Sequence, residues 1–169
     1  MRKEAYMAKT THEFGDFAAQ GVCMAGNAFA TVLLVKGQED FGEEELSALK
    51  ASLEHLGYAP EAWATLLTTT KTGDPINPEL VRQAISAFSP DTVLMVNDAA
   101  VASVREAYAE ELDQLKTDAE KIFSPRVLVR VCGMRMVNLD NFASALDDPH
   151  QKQMRWAAIK QVPPLGEPY

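Results

Sequence analysis

Thiols are scarce in this 169-residue chain, where Cys23 and Cys132 are the only cysteines. Two sulfurs cannot build a four-thiolate zinc site or a cysteine-ligated iron–sulfur cluster. A disulfide between them is open in principle and disfavoured in a reducing compartment. Histidine is equally thin. His12, His55 and His150 stand far apart, and none has a second histidine or cysteine three or four positions away to make a metal pair on one helix. No cofactor is expected. Absent too are a glycine-rich dinucleotide fingerprint after the first strand, a phosphate-loop lysine pattern and a nucleophile elbow. Long apolar runs are missing: Phe29 to Val35 is too short to span a bilayer, and the polar stretch Met1 to Thr11 does not read as a signal peptide. A cytoplasmic protein without membrane contact is the expectation. Positive charge is in deficit, with 16 Lys and Arg against 24 Asp and Glu and a formal net charge of -8, which repels a polyanion such as DNA.

What is present suffices for one domain, since a chain this long with 47% hydrophobic residues can bury a core unaided. Charge is uneven along it. Glu39, Asp40, Glu43, Glu44, Glu45 and Glu54 form one acidic segment, and Glu106, Glu110, Glu111, Asp113, Asp118 and Glu120 form another. Arg126, Arg130, Arg135, Lys152, Arg155 and Lys160 leave the last third relatively basic. Such runs are either solvated helix faces or, for the acidic segments, a surface for a protein partner.

Periodicity divides the chain into an N-terminal helix or arm over 1–27, a core over 28–162 and a loose tail over 163–169. Phe29 to Val35 is a continuous β-prone run, as in a strand buried on both faces. Leu46, Leu49, Leu53 and Leu56 then mark an amphipathic helix that stops at Gly57. Trp63 to Thr70 reads as a second strand, and Asn77-Pro78-Glu79 as the capped start of a helix ending before Pro90. A third strand over Thr92 to Val96 precedes a long or bipartite helix from about Ala99 to Ile122. A fourth strand over Val127 to Val131 precedes a last helix from about Leu139 to Ile159, with Pro149 a candidate break. Alternation of this kind predicts a three-layer α/β/α sandwich around four mainly parallel strands.

Open sheets of this class place ligands at the carboxyl ends of their strands. There the sequence puts Gly37, Gln38, Glu39 and Asp40 after the first strand, Thr69 and Lys71 at the end of the second, and Asn97 after the third. A carboxylate at Glu39 or Asp40 can direct water, or it can merely begin an acidic helix. Hydroxyls and an ammonium around Thr69 and Lys71 suit a phosphate or a polar base edge, though threonine also simply fits strands. Asn97 serves equally well as the cap of the next helix.

The order of these segments resembles the uracil-DNA glycosylase superfamily over about Ala28 to Gln161. Asn141-Phe142-Ala143-Ser144-Ala145-Leu146-Asp147-Asp148-Pro149, then Lys152 and Trp156, is similar to that family's His-Pro-x-x-Leu-Leu-x-x-Pro followed by Lys and Trp at the same intervals. Leu56-Gly57-Tyr58, the loop from Thr68 to Pro78, and Ser89-Pro90-Asp91-Thr92-Val93-Leu94 with Ala99-Ala100 follow in the family's order. Gly37-Gln38 resembles the start of its Gly-Gln-Asp-Pro-Tyr motif without the proline, so that Glu39 and Asp40 supply carboxylates in shifted register.

The resemblance implies the family's four-stranded parallel sheet and an activity on the bond joining uracil to deoxyribose, with the nucleotide flipped out of the stack. It also implies a catalytic pair, Asp40 (or Glu39 beside it) for water and Asn141 for the leaving base. A neutral amide at Asn141, where the family has histidine, stabilises the departing anion less. Thr69 stands where the family reads the base edge with asparagine, and one hydroxyl cannot make those paired contacts. Arg135, Lys152 and Arg155 are the candidates for a nucleic-acid backbone. The expectation is a retained scaffold that binds a nucleobase, nucleotide or nucleic acid with weakened or lost hydrolysis. An active glycosidic-bond hydrolase and a protein-interaction module are the alternatives.

Overall fold

The computed structural model describes residues 17–27, 29–70 and 72–165. The expected arm over 1–27 lies mostly outside this range, and its described end is a helical turn over 17–19 and a short strand. Among the described residues six strands form one mixed sheet, where the sequence pattern predicts four. They are β1 (Met24–Gly26), β2 (Val32–Lys36), β3 (Trp63–Leu67), β4 (Thr92–Met95), β5 (Leu128–Val131) and β6 (Met134–Asn138), in the spatial order β1-β3-β2-β4-β6-β5.

The two additional strands arise at the edges. β1 pairs antiparallel with β3, and β5 pairs antiparallel with β6, while β3, β2, β4 and β6 are mutually parallel. The strand expected over Val127 to Val131 is therefore the outer arm of a hairpin, and β6 is the fourth parallel strand. Cys132 and Gly133 turn that hairpin with φ of 50° and 81°. Two successive left-handed residues make a tight turn whose twist matches the strands it joins.

Helices cover both faces of the sheet. On one, α2 (Pro78–Phe88) and α3 (Asp98–Ala107) bury Val81, Ile85, Phe88 and Val104 against Leu33, Val35, Leu66 and Met136. On the other, α1 (Glu43–Leu56) buries Leu49 and Leu53 against Val32, Leu34 and Val137. The period of two along β2 explains how one uninterrupted apolar run feeds both cores. The helix expected from Ala99 to Ile122 is divided among α3, α4 (Ala109–Asp113) and α5 (Asp118–Lys121). The last helix is shorter than expected, because a 3-10 turn at Phe142–Ala145 precedes α6 (Pro149–Ile159). Asp148 caps α6 by accepting from the His150 and Gln151 amides, and Pro149 occupies the first helical position, where its missing N–H costs nothing. Among the described residues no helix is long and apolar enough to cross a membrane.

Among the parallel strands the spatial order is second, first, third, fourth. The chain therefore leaves β2 and β4 in opposite directions, toward β3 and toward β6, and the crevice such a reversal creates lies at the carboxyl ends of β2 and β4.

Candidate functional site

Each pair of neighbouring loops at that edge is tied by a side chain. Between β3 and β2, the Gln38 amide donates to Thr69 Oγ1 at 3.0 Å. Between β2 and β4, Asn97 Nδ2 donates to the Gly37 carbonyl at 2.8 Å, and Asn97 Oδ1 accepts from the Gly37 amide at 3.1 Å. Between β4 and β6, Asn141 Oδ1 accepts from the Asp98 amide at 3.0 Å while its Nδ2 donates to the Asp98 carboxylate at 2.9 Å. Asn97 Oδ1 also accepts from the Ala100 amide, and so caps α3. Thr69, Asn97 and Asn141, all expected to meet a ligand, are thus also the fasteners of the rim.

Gly37 shows how closely this rim is packed. A Cβ there would fall 2.6 Å from Thr68 Oγ1 and 2.8 Å from Ala99 Cβ, so no larger residue fits without moving the start of α3. Beyond β6, Asp140 and Asn141 adopt φ of 57° and 55° in succession, a left-handed corner that each non-glycine residue resists. Contacts on both sides hold the corner. Arg155 Nη2 donates to the Asp140 carbonyl at 2.6 Å and lies 3.6 Å from its carboxylate, and Asp98 holds Asn141.

With the switch point fastened, open space lies beside it. A cleft of about 350 Å³ is lined by Gln38, Glu39 and Asp40 from the first loop, by Thr69 and Thr70 from the second, and by Cys23 before β1. Four of the predicted site residues therefore converge there. Gln38 takes a left-handed φ of 70°, and the Glu39 carboxylate beyond it is 78% exposed. Asp40 Oδ1 accepts from the Phe41 amide at 2.7 Å, which fixes one oxygen and leaves the other available. The Thr69 hydroxyl accepts from Gln38, and its proton stays available to an acceptor.

Behind the loop sits an ion pair that the sequence pattern does not reveal. Lys36 and Glu45 are 3% and 2% exposed, and Lys36 Nζ donates to Glu45 Oε1 at 2.6 Å and to the Asp40 carbonyl at 3.2 Å. Glu45 Oε1 also accepts from the Gly42 amide, so one carboxylate joins the loop to the first turn of α1. Of the acidic run around it, Glu45 is therefore a buried anchor and no part of a solvated face. Lysine at a strand end followed by Gly-Gln reads as a terminator, and only the folded loop shows its partner.

The expected nucleic-acid contacts do not share the cleft. Arg135 is 5% exposed, and its guanidinium donates to Thr92 Oγ1 at 2.8 Å and to Tyr58 OH at 3.2 Å. It pairs in register with Thr92, at the opposite end of the strands from the cleft. Burial pushes the Tyr58 phenol above its usual range, although its Thr92 and Arg135 partners pull the other way. Arg155 is also buried and engaged with Asp140 and Gln151. Lys152 is exposed at a separate cavity of about 210 Å³ beside Trp156 and Leu146. Lys71 lies outside the described residues. Among the described residues no lysine or arginine lines the cleft, and Glu39 and Asp40 make its rim acidic. Nor do three His, Cys, Asp or Glu side chains converge among them as metal ligands.

No known family matches the chain in a scan of protein-family models, and no curated protein is significantly similar to it.

Proposed function

We propose that this chain is a divergent uracil-DNA glycosylase-like protein whose carboxyl-edge cleft takes a free nucleobase or nucleoside, with weak or no hydrolysis. The observation that carries the reading is the convergence of Gln38, Glu39, Asp40 and Thr69 on one cleft of about 350 Å³. That volume suits a single heterocycle with or without its sugar. Gln38 and Thr69 offer both donor and acceptor groups, and the carboxylates accept ring N–H groups. An acidic rim repels phosphates, which favours the uncharged base over a nucleotide or a duplex. Asn141 is held by Asp98 and lies outside the cleft lining, which supports binding over cleavage, because the leaving base would lack its stabilising donor.

Titration calorimetry with uracil, the other nucleobases and their nucleosides tests the reading, alongside uracil-containing single strands and duplexes at low and high salt. Free bases should bind with little salt dependence, and Asp40→Asn should weaken them by about 1 kcal/mol, the scale of one hydrogen bond. Steeply salt-dependent binding of the oligonucleotides, with none of the free base, would overturn it. Release of uracil that disappears in Asp40→Asn would instead establish an active hydrolase.

A further inference from the structure

Among the described residues the sheet ends on two unlike edges. β5 presents an exposed Arg130 at its centre, and charge on an edge strand discourages a further chain from adding to it. β1 is Met24-Ala25-Gly26, with no charge and no proline, and its last two residues are exposed. Its inner row of hydrogen bonds is defined by the Leu67 amide donating to the Cys23 carbonyl at 2.9 Å and by the registration of Ala25 with Thr65. Across trans peptides the groups between must point outward: the Met24 N–H, the Met24 carbonyl and the Gly26 N–H. Among the described residues none of the three has a hydrogen-bond partner.

Open space flanks this strand on both faces of the sheet. Toward α2 lies a cavity of about 630 Å³ walled by Val22, Met24 and Phe88, and toward α1 lies the cleft that carries Glu39 and Asp40. Cys23, Met24 and Ala25 line both.

We propose that the β1 edge docks an extended peptide of a partner protein, one in which large apolar residues alternate with basic ones. A strand added outside β1 would hydrogen-bond to the three outward groups and send successive side chains to opposite faces. An apolar side chain enters the larger cavity, and its basic neighbour meets Glu39 and Asp40 at the mouth of the cleft. Main-chain bonding supplies affinity here, and the unlike cavities supply the choice of sequence. This docking goes beyond base binding and does not depend on it.

The test uses the full chain and a labelled heptapeptide, Lys-Phe-Lys-Val-Lys-Phe-Lys, followed by fluorescence anisotropy. Saturable binding is expected, weakened roughly tenfold or more by N-methylation of alternate peptide amides, which removes the strand hydrogen bonds. Replacing the lysines by glutamates should abolish it. Met24→Pro should also abolish it, because that N–H faces away from β3 and its loss leaves the inner pairing intact. Where that variant does not fold, hydrogen exchange in the unaltered protein decides: the Met24 and Gly26 amides should gain protection when peptide binds. Binding unaffected by Met24→Pro, or no added protection, would overturn the proposal. So would concentration-dependent dimerisation that Met24→Pro removes, since a second copy would then be the occupant.

Discussion

Gly37 is the residue on which the rim depends most directly. It is glycine because Thr68 Oγ1 and Ala99 leave no room for a Cβ, a packing demand and not a requirement of an unusual φ. Gly37→Ala should therefore destabilise the protein by about 1–3 kcal/mol, the usual cost of overpacking a filled site. Urea unfolding measures it, and an unchanged midpoint would show that α3 yields easily. Other residues at this scale divide by legibility. Gln38, Glu39, Asp40 and Thr69 are readable as site candidates from their places after strands, and the structure brings them to one cleft. Asn97 and Asn141 are readable as polar residues at the right edge, but not as ties, since their partners Gly37 and Asp98 are 60 and 43 positions away. Arg135 is the misleading one. Basic composition suggests a surface cation, whereas β6 buries it against Tyr58 and Thr92.

Elements were legible where one period ran unbroken. β2, β3, β4, α1 and α2 stand close to where the apolar spacing places them, because each buries a continuous run or stripe. The hairpin of β5 and β6 was not legible. Its turn, Cys132-Gly133, lacks the usual asparagine or aspartate at the first left-handed position, and Arg135 interrupts the apolar pattern of the strand that follows. β1 was hidden for a different reason, being three residues long. Between elements, the Lys36 and Glu45 pair joins the end of β2 to the start of α1. Removing one partner strands the other charge, so Glu45→Leu and Lys36→Met should each cost about 3–5 kcal/mol, while the double variant carrying both should recover most of that loss. Thermal melting of the four proteins closes the cycle, and equal losses in the single and double variants would contradict the coupling.

Across the whole molecule, strand order separates the two cysteines. Cys23 precedes β1 and Cys132 follows β5, at opposite ends of the six-stranded order. Five strand spacings amount to roughly 24 Å, far beyond the reach of a disulfide. Two thiols should therefore titrate with a disulfide reagent in the native protein, exposed Cys132 faster than partly buried Cys23, and copper-catalysed oxidation should yield no internally bridged monomer. Such a monomer on a non-reducing gel would refute the strand order. The fastened rim matters at this scale too. Loops that are already knotted to one another by Thr69, Asn97 and Asn141 have little freedom left to surrender when a guest arrives, so the entropic toll on association is small. A pocket preorganised in this way discriminates by shape from the first encounter, and it gives up the adaptability that would let it accept many guests.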